Sequence, residues 1–119
     1  EQALELKELG FDKPCFVYYK ASNNNHLAYA NHGITTNNQL SKGYLDNVAA
    51  PLYQQAFRWF DENTDFQGFV IDSIKECHFD WKIINLNTEE RIECEEYYST
   101  RQEAELECLK KLIEITKNK

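Results

Sequence analysis

"CHFDWKIINLN", Cys77 to Asn87, is the stretch that decides the fold. Phe79, Trp81 and Ile83 alternate there with Asp80 and Lys82, and a period of two means a strand with one dry and one wet face. Upstream, Gly68 opens "FVIDSIKE" (Phe69 to Glu76), a second run rich in strand-forming residues. Downstream, "NTEE" makes a turn and "RIECEEYYS" alternates again. Ile92 and Cys94 point one way, and Glu93, Glu95 and Tyr97 the other. Glu96 interrupts the dry side, so it belongs near the strand's frayed end or beside a partner. Three strands joined by tight turns pair antiparallel, as a meander.

A helix follows. Thr100 begins a capping box, its hydroxyl set to accept from the N–H of Glu103 while the Glu103 side chain reaches back. Ala104, Cys108, Leu109, Leu112 and Ile115 recur along one helical face. Glu103, Glu105 and Glu107 fall in the first two turns and Lys110, Lys111, Lys117 and Lys119 at the far end, the polarity that suits a helix dipole.

Before the meander, Pro51 occupies a first-helical position and Leu52, Tyr53, Ala56, Phe57, Trp59 and Phe60 follow at helical spacing. That helix should stop in "DENTD". At the chain start, Ala3, Leu4, Leu6 and Leu9 mark a short amphipathic helix, with Gly10 where a left-handed residue ends it. "CFVYYK" (Cys15 to Lys20), "ASNNN" and "HLAYAN" (His26 to Asn31) read as strand, turn and returning strand. His32 to Asn47 lacks periodicity and reads as surface loop, with room for one short strand near Ile34 to Thr36.

The fold class that results is α+β. Two layers are expected: an antiparallel sheet of about five strands, an N-terminal hairpin plus a three-strand meander, with three helices in the order α-β-β-α-β-β-β-α. No repeat, linker or low-complexity tract divides residues 1–119, so a single domain is expected.

Twenty acidic side chains against thirteen basic ones give a net charge of −7. Phosphate recognition draws on clustered Lys and Arg, so direct nucleic-acid binding is disfavoured, and anionic membrane surfaces likewise. No apolar run is long enough to span a bilayer. The chain contains no Met, so a processed or trimmed product is expected. Cys15, Cys77, Cys94 and Cys108 are widely spaced with no CxxC. Buried reduced thiols are the favoured reading over disulfides or a metal site, which points to the cytoplasm.

Three segments, "ELKELGFDKPCFVYY", "PLYQQAFRWFDEN" and "TRQEAELECLKKLIEI", together resemble small uncharacterised proteins encoded by phages and prophages of gut Bacteroidota. Those carry a Gly-Phe-Asp-x-Pro-Cys start, a Pro-x-Tyr-x-x-Ala-Phe-x-Trp-Phe helix and a Glu-Ala-Glu-Leu-x-Cys-Leu helix. Relatives often place a basic residue after the Trp-Phe pair, whereas Asp61 stands there in this chain. The resemblance implies a mobile-element origin and the cytoplasm of a bacterial host. It implies no reaction.

Catalytic constellations are absent from the sequence pattern. His26 and His32 flank a strand in polar surroundings, and Cys77 and His78 are neighbours that alternation sends to opposite faces, so they form no dyad. Four scattered glycines make no phosphate-cradling loop. "DENTD" lacks the glycine and closing Glu of a calcium loop. Phe57, Trp59, Phe60, Phe79 and Trp81 have the periodicity of core, not of a ligand box. No catalytic residue, cofactor or metal ligand is therefore assigned.

What stands out is charge. Residues 89–107 hold eight Glu and two Arg, a net of −6. Solvated faces of a strand and a capped helix account for that pattern without a partner. The functional expectation is a non-enzymatic protein-binding module, with Glu93, Glu95, Tyr97 and Glu103 as candidate contacts for a host or phage protein that presents a basic surface. Mimicry of nucleic-acid phosphates would need charge in regular rows, and −7 is modest for it. The alternative is a small-ligand-binding protein or enzyme with a site under the Asn-rich loop 31–47.

Overall fold

The computed structural model of the chain describes residues 1–13, 15, 17–20, 26–29, 36–37, 48–50, 52–73 and 76–119. The fold is α+β. In chain order the described elements are α1 (Gln2–Glu8), β1 (Val17–Lys20), β2 (His26–Tyr29), β3 (Val48–Ala50), α2 (Tyr53–Asn63), β4 (Phe66–Ser73), β5 (His78–Asn85), β6 (Arg91–Glu93) and α3 (Arg101–Lys117). The strands form two three-stranded antiparallel sheets, ordered β2-β1-β3 and β4-β5-β6.

The expectation of one sheet of about five strands is corrected here. The hairpin and the meander both form, yet they belong to separate sheets, and β3 is an additional strand. Ala50 precedes Pro51, and proline disfavours the helical region for the residue before it. Three residues are too few for a period-two signal, so β3 leaves little trace in the sequence. Contacts group the chain into two compact units, Glu1–Ala56 and Phe57–Lys119, divided within α2.

In the first unit, α1 is only seven residues long, and helices so short are marginal without tertiary support. Its end supplies that support. Gly10 adopts φ +97°, its N–H donates to the Lys7 carbonyl at 3.0 Å, and the Phe11 N–H donates to Leu6 at 2.9 Å. This pair of bonds is a Schellman motif, and the two residues it joins, Leu6 and Phe11, are both buried. The Asn37 side-chain amide donates to the Phe11 carbonyl at 2.6 Å and is itself buried. Beside it, β1 pairs along its whole length with β2, from Val17↔Tyr29 to Lys20↔His26, and on its other edge with β3.

Helix α2 begins at Tyr53, later than proline placement suggests, and Leu52 is exposed instead of joining the apolar face. The Leu52 N–H donates to Gln55 Oε1 at 2.9 Å, the reach-back half of a capping box. The helix stops within the expected polar stretch: Asn63 and Thr64 side chains donate to the Trp59 and Phe60 carbonyls, and Thr64 Oγ1 then accepts from Phe66 N–H at 3.0 Å.

In the second unit, α3 lies on the β4–β5–β6 sheet, and Gly68 shows which face it covers. A Cβ there would sit 2.7 Å from Leu112 Cδ1 and 3.0 Å from Cys108 Sγ. Gly68 pairs with Ile83, and Ile83 with Ile92, so the α3 side also holds Phe66, Trp81 and Cys94. Trp59, Phe60, Phe66, Trp81 and Ile83 are all buried, with Trp59 and Phe60 packed edge-to-face at 5.0 Å. Along α3 the buried residues are Ala104, Cys108, Leu109, Leu112 and Ile113. Ile113 thus replaces the expected Ile115, because the stripe advances by fours from Ala104 and from Leu109.

Candidate functional site

The candidate contacts lie around the place where β6 ends. β6 pairs with β5 from Ile84↔Arg91 to Lys82↔Glu93, and the Cys94 N–H continues that register by donating to the Trp81 carbonyl at 3.2 Å. Pairing resumes at Phe79↔Tyr98, where both N–H groups donate across at 2.9 and 3.0 Å. From Cys94 to Tyr98 the chain takes four steps while β5 takes two, so two extra residues bulge outward. The bend falls at Glu95 and Glu96, which explains how Glu96 breaks the alternation without being buried.

The bulge carries Tyr97 over His78. Their rings lie 4.0 Å apart at an interplanar angle of 31°. Tyr97 remains 69% exposed, while the His78 side chain is only 16% exposed. His78 is an alternate residue to Phe79, so it stands on the sheet face away from α3. Its Nδ1 is 3.4 Å from Glu76 Oε2 and its Nε2 is 3.4 Å from Asp80 Oδ1. Both ring nitrogens therefore face carboxylates. Asp80 Oδ1 is buried with no hydrogen-bond partner; so is the Trp81 indole N–H, on the opposite face of β5.

The four expected contacts are distributed unevenly. Glu93 stands on the same far face as His78 and forms a cross-strand ion pair with Lys82 at 3.0 Å, which neutralises part of its charge. Glu95 is exposed in the bulge beside Tyr97. Glu103 belongs to the α3 layer, not to this face. Its backbone N–H is held by Thr100 Oγ1 at 3.2 Å, as a capping box requires, but its carboxylate accepts from the Ser99 hydroxyl at 3.4 Å instead of reaching back to the Thr100 N–H. Other α3 acids are also paired: Glu105 with Arg101, Glu107 with Lys110 and Glu114 with Lys111. Glu93, Glu105 and Glu107, three of the eight glutamates of residues 89–107, are thus ion-paired within the unit, and Glu95 in the bulge stands beside an exposed aromatic ring.

Sequence reasoning missed the partnership of His78 with Tyr97. One signal was present: Glu76, His78 and Asp80 occupy alternate positions and share a face.

The thiols divide. Cys15 and Cys108 are buried, and loss of hydration raises their pKa to about 11 and about 12; for Cys108, proximity to Cys94 adds to the rise and a backbone hydrogen bond from Phe69 opposes it. Cys77 is exposed at a turn with φ +52°, contrary to the expected burial, because the hairpin tip falls on it. Among the described residues no group of three His, Cys, Asp or Glu is arranged to hold a metal ion, and no helix is long and apolar enough to cross a membrane. The alternative site under loop 31–47 lies outside the described residues except for Thr36 and Asn37, and Asn37 serves as the clamp on Phe11. No family model, no curated protein and no solved structure matches the chain.

Proposed function

We propose that this chain is a protein-binding module, and that its contact is centred on Tyr97 and the adjoining glutamates of the β6–α3 connection. The observation that carries this reading is an aromatic side chain 69% exposed yet seated on a half-buried histidine, in a stretch of net charge −6. An exposed tyrosine in a set position brings large contact area at little entropic cost, and surrounding carboxylates favour a partner that presents Arg or Lys. An arginine can stack on the outer face of the ring while pairing with Glu95. On the resemblance to phage and prophage proteins, that partner is a host or phage protein with a basic surface, met in the bacterial cytoplasm.

The test is affinity capture with the tagged chain, followed by titration of the captured protein. Tyr97→Ala and the pair Glu93→Lys with Glu95→Lys should each weaken binding by about tenfold or more, the size of a hot-spot loss. Glu103→Lys, on the other layer, should change it far less. Binding that ignores Tyr97 and Glu95 would sink the proposal.

A further inference from the structure

We propose that the outer edge of β6 takes an extended segment of the partner as an added strand, one in which basic and apolar residues alternate. The inference rests on the protein-binding reading above and adds to it the partner's conformation and sequence pattern. β6 ends its sheet, and among the described residues no strand pairs with its outer side. The Cys94 N–H donates inward to the Trp81 carbonyl, and the Asn85 N–H donates to the Glu90 carbonyl. Antiparallel alternation therefore turns the backbone groups of Ile92 toward β5 and those of Arg91 and Glu93 outward. Both residues offer an N–H and a C=O at the two-residue spacing of a ladder, which is how an open sheet edge recruits a strand. Arg91, Glu93, Glu95 and Glu96 are exposed along this edge.

Charge decides the occupant. Residues 89–96 hold five Glu and one Arg, a net of −4 along the edge and its two ends. A second copy would lay these acids against its own, and like charges opposed across strands destabilise the pairing. A basic strand reverses the sign. Lys82 engages Glu93 from the β5 side, yet that carboxylate stays 56% exposed. Toward α3 the edge presents Ile92, half-buried between exposed neighbours, so an apolar residue beside it completes its burial. The bulge at Glu95 and Glu96 breaks the ladder, which confines backbone pairing to Arg91–Glu93 and leaves the rest of the contact to Glu95 and Tyr97. β4, the strand at the other end of the sheet, carries no charge from Phe66 to Ile71 and has nothing to select a basic segment.

The probe is a blocked peptide of about eight residues, alternating arginine and valine, titrated into the full 15N-labelled chain. At about ten times its Kd, the peptide should slow amide exchange at Arg91 and Glu93 by about tenfold and leave the β4 amides unchanged. Two further peptides carry N-methyl groups, one on every arginine nitrogen and the other on every valine nitrogen. In an antiparallel pair the residue opposite Glu93 turns its own backbone groups to β6, whereas in a parallel pair its neighbours do. One methylated peptide should therefore lose about tenfold or more in affinity while the other binds like the parent. Unchanged exchange at Glu93 overturns the added strand. So does equal affinity for all three peptides, or an equal loss in both methylated ones. A captured protein that needs Tyr97 yet leaves exchange at Glu93 unchanged overturns the strand alone, whereas indifference to Tyr97 and Glu95 sinks the reading beneath it.

Discussion

The two faces of the β4–β5–β6 sheet are built from the same three strands and the same alternation, yet they end differently. On the α3 side, Ile83 and Leu112 have no exposed surface, and Leu112 lies so close over Gly68 that a Cβ there would sit 2.7 Å from its Cδ1. On the other side, Phe69, Ile71 and Ile84 are half-buried among His78, Asp80 and Lys82. One face is a packed core and the other is a platform of paired charges with apolar filling between them. Alternation specifies which residues share a face. It says nothing about how closely anything will cover that face, because coverage depends on a helix remote in sequence.

Truncation should expose that difference most sharply. Leu112→Ala removes a fully buried side chain from a close-packed layer and should cost about 2–5 kcal/mol, read as a loss of stability in urea titration. Ile84→Ala, a comparable truncation on the far face, should cost well under half of that. Equal losses would mean that the far face is as tightly packed as the near one. Gly68→Ala probes the close approach itself. A methyl group 2.7 Å from Leu112 Cδ1 must displace a leucine that has nowhere to go, so a loss of about 1–3 kcal/mol is expected despite alanine's better backbone behaviour in a strand. Pairing Gly68→Ala with Leu112→Ala should recover part of the loss, since the second change makes room for the first. Strictly additive losses would show that the cost comes from elsewhere.

Features set by residues near one another in sequence were legible from sequence. Thr100 accepts from the Glu103 N–H, Gly10 takes the left-handed turn, α2 stops at Asn63, and Trp59 and Trp81 are core. Each depends on a cap, a turn residue or a period. The Tyr97 ring over His78 depends on none of these. It arises because two inserted residues at Glu95 and Glu96 shift the chain against a strand almost twenty positions earlier, and such a shift appears only when the two strands are aligned. The same holds for β3, whose three residues find their place by pairing with β1. The glutamates were legible as charge but not as pairs, since Lys82 and Glu93 meet only through the register of β5 and β6.

That last pair gives the smallest expected effect and bears on the meaning of the far face. Lys82 and Glu93 are directly opposed at 3.0 Å, with the lysine about one-third exposed and the glutamate more so. Solvent screens such a pair, and a double-mutant cycle through Lys82→Ala and Glu93→Ala should return a coupling of about 0.2–1 kcal/mol that fades with added salt. The pair then does more for specificity than for stability: it holds Glu93 in place and limits how much negative charge the platform shows beside Tyr97. A coupling of several kcal/mol would instead make the far face a second structural core. In that event the exposed ring of Tyr97 and the unpaired Glu95 alone would remain available to a partner, and Glu93→Lys would weaken folding before it weakened binding.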